Sequence, residues 1–299
     1  MAGLNQKYFH NGGFDRAKLQ AGLPAIISGI KKWVNTGIST PLALNLIERL
    51  GADSRVRDVR YIAYMLATVS RETAELHYFT VPVTPPPGKP KPGAPTEKKV
   101  QQWVVFDPNH ENIGKGTEGD YVEPVKVERT GEGAIITEMD GDQFKVTTQG
   151  KFFKNKNQWE DFDKHRNRRG SVFGAKPTDV YNAAVGDVLH YQGRGLVHLT
   201  WWDGYANAGI KLGMGLELLY RPERALEPDI AYEVMVRGMI EGWITGATLG
   251  KWINDSITNY AEARRVINGT DNQDKIAQLA QKYEDLLMSA RLAPSPAKK

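Results

Sequence analysis

The sequence predicts a mainly helical fold into which a small β-rich module is inserted. Apolar residues recur at helical spacing in two blocks, residues 23–76 and 232–287, and these blocks predict the helical body. Between them lies a proline-rich stretch, residues 81–95, that neither a helix nor a central strand tolerates. Short runs with a period of two follow between about residues 100 and 153, and they predict strands.

The helical body divides into elements by its apolar spacing and its start and stop signals. In the second helix, Thr40 is placed to cap the N-terminus and Pro41 to occupy the first turn. The third helix has an apolar stripe at spacings of three and four, which continues through Thr73 and Leu76. The predicted helical regions are residues 23–34, 40–50, 56–77, 232–243, 260–270 and 276–287.

Glu72 is the most informative residue of the third helix. At about 100° per residue it falls on the edge of the apolar stripe, beside Met65 and Leu76. A carboxylate at such a boundary is partly removed from water, which raises its pKa and suits a general acid near neutral pH. The alternative is a surface glutamate that pairs with Arg71 or with a nearby lysine.

The inserted segment predicts a β module that binds a partner or shapes the rim of a cleft. Its period-two runs, at 103–106, 121–127, 134–138 and 144–148, are separated by turn signals rich in glycine. The resulting division is a first part of the body at 1–84, the linker and module at 85–170, a second part of the body at 171–292, and a disordered tail at 293–299.

A Gly-Arg-Gly turn, residues 193–195, lies in the stretch from Tyr191 to Thr200, between two aromatic, β-leaning runs. Glycines on both sides of Arg194 allow the backbone to approach another surface while the guanidinium is held in place. The neighbouring aromatic residues suit the apolar face of a sugar. The alternative is a buried loop whose arginine pairs with a carboxylate.

Composition narrows the classes of function. Because the chain has no cysteine, disulfides, thiol nucleophiles and cysteine-ligated zinc are excluded, and the six histidines lack metal-ligand spacing, so we expect no cofactor and no metal. The net charge of +4 favours an anionic partner. Apart from Lys164-His165-Arg166-Asn167-Arg168-Arg169 the basic residues are scattered, which supports nucleic-acid binding only weakly. No window approaches the ~18 apolar residues of a membrane span, and the N-terminus has no signal-peptide core.

Three separated stretches of the sequence occur in a characteristic order. They are Ser70-Arg71-Glu72-Thr73-Ala74, the segment from Tyr191 to Thr200, and Arg265-Val266-Ile267-Asn268-Gly269. Together they resemble glycoside hydrolase family 19, which contains chitinases and related phage-type endolysins. Residues 221–229, Arg-Pro-Glu-Arg-Ala-Leu-Glu-Pro-Asp, are similar to a connection common in the phage members. The resemblance covers about residues 10–80 and 180–290, but not 85–170.

The resemblance implies a lysozyme-like (α+β) body of two lobes with a cleft between them. It also implies hydrolysis, with inversion, of a β-1,4 bond next to an N-acetylated amino sugar. By position, Glu72 matches the general acid that protonates the leaving oxygen. The implied substrate-binding residues are Tyr191 and Arg194 at the cleft floor, His198 at the position that contacts the N-acetyl group, Thr200 beside the attacking water, and Asn268 against the sugar.

The chain departs from the family pattern at several positions. Arg71 replaces a histidine, His198 replaces a glutamine, and Gly204 stands where asparagine is common. An inverting mechanism also needs a base about 6.5–9.5 Å from the acid, yet residues 79–83, where relatives carry it, contain no acid. Either the module supplies the base, or the water is positioned without one, or activity is low. The candidates in the module are Glu111, Glu118, Asp120, Glu123 and Glu128, of which Glu118, in a glycine-rich loop, is preferred.

These observations predict a peptidoglycan-degrading glycosidase of the endolysin or virion-lysin type. We expect it to be made in a host cytoplasm and to act on the cell wall, or to be carried in a phage particle, as a monomer unless it is part of a virion. The expected partner is peptidoglycan or another polymer of N-acetylglucosamine. The alternatives are a chitinase with the same acid and, from another class, a non-catalytic wall- or saccharide-binding protein.

Overall fold

A computed structural model describes residues 7–10, 13–30, 38–82, 97–105, 124–138, 143–148, 151–154, 158–161, 187–191 and 193–292. The α-helices are α1 (Arg16–Ile30), α2 (Thr40–Ala52), α3 (Val59–Glu72), α4 (Trp202–Lys211), α5 (Glu217–Tyr220), α6 (Pro228–Glu241), α7 (Leu249–Trp252), α8 (Tyr260–Ala263) and α9 (Gln273–Ala290). Two 3-10 helices cover Pro222–Leu226 and Arg264–Val266. The strands are β1 (Thr73–Pro82), β2 (Glu97–Val105), β3 (Pro124–Thr130), β4 (Gly133–Thr137), β5 (Gln143–Thr147), β6 (Lys151–Lys154), β7 (Gln158–Asp161) and β8 (Asp187–His190).

Helix α3 lies inside the helical body because nearly all of its surface is buried. Only Tyr61 and Arg71 among its residues are not buried. Helix α9 packs along it, and the hydroxyls of Ser70 and Tyr283 form a hydrogen bond of 2.8 Å across this interface. The predicted apolar stripe is therefore confirmed between Val59 and Val69, but burial extends well beyond it.

The third helix is shorter than the sequence predicts. It begins at Val59, where the Asp58 carboxylate accepts a hydrogen bond of 2.8 Å from the Arg60 backbone N–H, and it ends at Glu72. The chain then continues as β1, which pairs antiparallel with β2. The prediction of a helix to residue 77 is therefore wrong. Residues 77–81, His-Tyr-Phe-Thr-Val, are aromatic and β-branched, and such residues favour a strand.

The remaining helices follow the apolar spacing closely. Helix α2 begins at Thr40, but its N-cap is Ser39, whose side chain accepts a hydrogen bond from the Leu42 N–H. The assignment of the cap to Thr40 is therefore wrong by one residue, because Thr40 already belongs to the first turn. Helices α6 and α9 overlap the predicted regions 232–243 and 276–287, but α6 begins four residues earlier and ends at Glu241, and α9 extends three residues further at each end. The predicted end of the first helix at residues 35–37 and the tail at 293–299 lie outside the described residues.

Three of the four predicted runs, 121–127, 134–138 and 144–148, overlap β3, β4 and β5 of a six-stranded antiparallel sheet with the order β7-β6-β5-β4-β3-β8. The fourth run, 103–106, overlaps β2, which pairs with β1 in a separate two-stranded sheet. A two-residue turn joins β3 to β4, with Thr130 opposite Gly133, as the glycine-rich turn signal predicts. Residues 151–154 and 158–161, which follow the last predicted period-two run, contribute two further strands, β6 and β7. The last strand, β8, lies beyond residue 170 and pairs with β3.

The sheet packs against the helices through one face. Its buried side chains join the same hydrophobic core as those of the helices. The Phe144 ring lies 5.3 Å from the ring of Trp202, whose indole N–H donates to Glu138 over 2.7 Å. The Tyr220 hydroxyl donates to the Gly133 carbonyl over 2.8 Å. The structure thus combines a mainly helical body with an antiparallel sheet, as predicted at that level. Among the described helices, none has the length and apolarity that crossing a bilayer would require.

Candidate functional site

The Glu72 carboxylate lies where three separated segments of the chain meet. It is the last residue of α3, and its side chain is 7% exposed. Arg264 Nη1 lies 2.8 Å from Glu72 Oε1, and His198 Nδ1 lies 3.4 Å from Glu72 Oε2. The three segments that share the resemblance are therefore joined at one buried carboxylate, since His198 follows the Gly-Arg-Gly turn and Arg264 directly precedes Arg265-Val266-Ile267-Asn268-Gly269.

A tight backbone turn places His198 next to the Glu72 carboxylate. Arg194 and Leu199 exchange both backbone hydrogen bonds, at 3.1 and 2.9 Å, so residues 195–198 form the turn between them. Two turn residues have left-handed backbone conformations, Gly195 with φ 77° and His198 with φ 52°. The conformation of His198 is costly for a residue with a Cβ, and such strain is often found at functional sites.

At Gly195 the backbone of the turn approaches another part of the backbone closely, as the Gly-Arg-Gly sequence predicts. A Cβ at this position would lie 2.8 Å from the carbonyl oxygen of Ala225 and 3.3 Å from the Cβ of Ala231. The turn is thus seated directly on the 3-10 helix Pro222–Leu226 and on α6, and only glycine leaves room for this contact.

We expect Gly195→Ala to destabilise the protein and to displace His198 from Glu72. The matched control is Gly213→Ala, because Gly213 has nearly the same φ, 76°, with no atom within 4 Å of an added Cβ. Both variants bear the strain of a positive φ, whereas only Gly195→Ala adds a steric overlap of about 1–3 kcal/mol. Denaturant unfolding measures the difference. Equal losses in the two variants would show that the turn is not held by this close contact.

Arg264 connects the carboxylate to the loop that contains the Ile-Asn-Gly sequence. Its side chain is 1% exposed, and its Nε donates to the Asp271 carbonyl over 3.1 Å. The Asn268 N–H donates to the Arg264 carbonyl over 2.9 Å. One arginine therefore fixes both the charge beside Glu72 and the path of the chain from residue 264 to 271.

The electrostatics at Glu72 differ from the prediction. Burial acts to raise its pKa, but the hydrogen bond from His198 and the charges of Arg264, His198 and Arg71 outweigh that effect and lower the pKa to about 2. The expectation of a raised pKa is therefore wrong, because the two groups that lower it most, His198 and Arg264, are distant from Glu72 in sequence. The alternative of a surface glutamate is also wrong, since Glu72 is buried.

Tyr191 and Arg194 are held by contacts within the protein. The Tyr191 hydroxyl donates to the Leu219 carbonyl over 2.5 Å, and its ring lies edge-on to that of Tyr205 at 5.3 Å. Burial raises the pKa of Tyr191. Arg194 is half-buried, and its Nη1 donates to the Tyr205 hydroxyl over 3.0 Å. Tyr205 thus contacts the side chains of both Tyr191 and Arg194 and holds them in place.

The other predicted site residues differ in how the structure places them. Thr200 is half-buried and follows Leu199 at the end of the hairpin. The side chain of Asn268 is exposed, and its backbone N–H donates to the Arg264 carbonyl, which connects it to Glu72 indirectly. Glu118 lies outside the described residues, as do Glu111, Asp120 and Glu123. Glu128 is exposed on β3.

Arg264 is not among the residues predicted for the site, although the sequence contains a signal for it. Tyr260, Ala263, Arg264 and Ile267 recur at spacings of three, one and three, which places the arginine on the apolar side of a helical turn. An arginine at such a position has to be paired with an acid, because a buried cation is otherwise very unfavourable. This pattern would have predicted a buried carboxylate as its partner.

No family model, no curated protein and no solved structure gives a significant match to this chain.

Proposed function

We propose that this chain is a peptidoglycan-degrading glycoside hydrolase of lysozyme-like, two-lobed architecture, in which Glu72 is the general acid. One observation supports this proposal above all others. The helix that carries Glu72, the Gly-Arg-Gly turn and the segment before Asn268 meet at a single buried carboxylate. These are the stretches on which the resemblance to family 19 rests, and nothing in their separate spacing required them to be in contact.

The chemistry that we propose is acid-assisted cleavage of a β-1,4 bond next to an N-acetylated amino sugar. Glu72 donates a proton to the glycosidic oxygen as the bond from that oxygen to C1 breaks. A water attacks C1 from the opposite face and releases its proton to a base. Within our proposal, Glu118 supplies that base, Thr200 orients the water, and the sugar contacts His198, Arg194, Tyr191 and Asn268.

The lowered pKa of Glu72 requires a source for the proton that it donates. His198 Nδ1, at 3.4 Å from Glu72 Oε2, provides one. When the imidazole carries a proton on Nδ1, this proton lies between Nδ1 and Glu72 Oε2. A sugar that excludes water and separates the carboxylate from Arg264 would raise the pKa of Glu72, so that the proton passes from Nδ1 to Oε2 and leaves the protonated carboxyl that a general acid needs.

A second candidate is a non-catalytic protein that binds saccharide or cell wall. The observation in its favour is the ion pair between Glu72 and Arg264 together with the pKa of about 2, because a carboxylate that stays ionised cannot act as an acid. In this case the same residues would serve only to hold the turn in place.

Incubation of the chain with purified sacculi separates these candidates. We expect turbidity to fall and new reducing ends to appear. Chitin oligomers, assayed in parallel for reducing ends, test the alternative of a chitinase. If the protein pellets with sacculi but releases no reducing ends from either substrate, the hydrolase proposal is overturned and the binding protein is favoured.

A further inference from the structure

Residues 7–10 form a short segment, the N-terminal strap, that lies across the start of α3. The Tyr8 carbonyl accepts a hydrogen bond of 3.0 Å from the N–H of Val59, the first residue of this helix. The His10 N–H donates to the Arg57 carbonyl over 3.1 Å. The strap therefore provides an acceptor for one of the N–H groups that a helix leaves without a partner at its N-terminus.

The residue that follows α9 holds the same strap from another side. Arg291 Nη1 donates to the carbonyls of Lys7 and Phe9, over 2.7 and 2.9 Å. The Arg60 guanidinium, on α3, lies 4.0 Å from the centre of the Tyr8 ring, where a cation is attracted to the ring face. Because α3 and α9 pack on each other, the strap connects the start of one helix to the end of its neighbour.

His10 is the most deeply enclosed residue of the strap, since none of its surface is exposed. Its ring is hydrogen-bonded to the Val56 backbone and lies 5.4 Å from the ring of Phe14. A proton bound by a side chain withdrawn from water in this way creates a charge that the solvent cannot stabilise. The neutral imidazole is therefore the form that suits the closed strap.

The charged groups around His10 oppose its protonation as well. Arg57, before α3, and Arg291, after α9, both act against a positive charge on the ring. Asp58 acts in its favour, but both oxygens of this carboxylate already accept hydrogen bonds from the Arg60 guanidinium, at 2.6–3.2 Å. Burial and the two arginines thus lower the pKa of His10, although the contact with Val56 opposes them.

We propose that protonation of His10 at mildly acidic pH releases the N-terminal strap while the rest of the fold stays in place. In the open strap the imidazole reaches water and binds a proton with its ordinary affinity, whereas the closed strap binds a proton poorly. A falling pH therefore favours the open form. This inference does not depend on the proposed function, since it concerns the folded protein without substrate.

Hydrogen exchange at single amides tests this release, because the N–H groups of His10 and Val59 form hydrogen bonds across the edge of the strap. The opening constant follows from the exchange rate after correction for the intrinsic pH dependence of exchange. A histidine in water titrates near pH 6.5. Opening that is coupled to one proton should therefore raise the opening constant at both amides by about 5–10-fold between pH 7.5 and 5.5. The amides of β4 and β5 report global unfolding and should not follow this change.

Two histidine variants show whether the proton is bound at His10. His10→Asn keeps a side-chain amide for the Val56 backbone but binds no proton in this range, so its strap should open equally at both pH values. His198→Asn is the matched control, because His198 is the other buried histidine among the described residues, and it should show the wild-type change at the strap. Equal opening constants at both pH values in the wild type would overturn the proposal. So would the same change in His10→Asn, its loss in His198→Asn, or an equal change in the sheet amides.

Discussion

Replacement of Glu72 by glutamine should lower the release of reducing ends from purified sacculi by about 10²–10⁴-fold, the usual contribution of a general acid. Glutamine has nearly the size of glutamate but holds no transferable proton. We expect the substitution to leave the Gly-Arg-Gly turn in place, because the contact of Gly195 with Ala225 and Ala231 and the backbone pairing of Arg194 with Leu199 involve no atom of Glu72. Initial rates, measured over a range of substrate concentrations, should show the loss mainly in kcat.

The control for this experiment has to separate catalysis from folding, because Glu72 is also part of a buried ion pair. Glu284→Gln provides it. Glu284 is a second buried glutamate, on α9, and accepts a hydrogen bond of 2.7 Å from the Tyr260 hydroxyl. Both variants are assayed at equal folded fraction, as measured by circular dichroism. Wild-type rates from folded Glu72→Gln protein would exclude Glu72 as the acid, and an equal loss in Glu284→Gln would indicate a general effect of destabilisation.

Much of the fold could be predicted from the sequence where local signals agree with the final environment. Helices α6 and α9 have regular apolar spacing, and the strands β3, β4 and β5 have period-two runs bounded by turn residues. At the end of α3, however, local sequence spacing did not predict the observed structure. The apolar spacing continues to residue 76, but the chain leaves the helix at Thr73 because pairing with β2 is available, and β2 is formed by residues beyond the proline-rich stretch.

The position of Glu72 was predictable, but its charge state was not. Helical spacing placed Glu72 at the edge of a buried stripe, which predicted its removal from water correctly and the direction of its pKa shift wrongly. Burial is a local consequence of the helix and can be read from its spacing. The pairing with Arg264 and His198 depends on residues 192 and 126 positions away in sequence, so only the assembled fold reveals it.

Removal of the charge of Arg264 should be among the most destabilising single changes in the chain. Arg264→Met keeps the length of the side chain but leaves Glu72 buried without its closest cation. The loss of one partner from a buried ion pair costs about 3–5 kcal/mol. In the double variant with Glu72→Gln, no uncompensated charge remains, so we expect much of this loss to be recovered. Denaturant unfolding of the single and double variants measures this coupling, and simple additivity of the two losses would contradict it.

The pH dependence of stability provides an independent check on the same ion pair. The pKa of Glu72 is lowered from 4.5 to about 2 on folding, so its ionised form stabilises the native state. This contribution is fully present above about pH 4.5 and disappears as the pH falls towards 2. A shift of this size corresponds to about 3 kcal/mol. In Glu72→Gln the loss of stability between pH 4.5 and 2 should become smaller by about this amount. In Arg264→Met, part of the loss of stability on acidification should occur at higher pH, because the Glu72 carboxylate then gains its proton more readily. The contrary result is that the free energy of unfolding falls between pH 4.5 and 2 by the same amount in both variants as in the wild type. That result would mean that the contacts of Glu72 with Arg264 and His198 contribute nothing to folding.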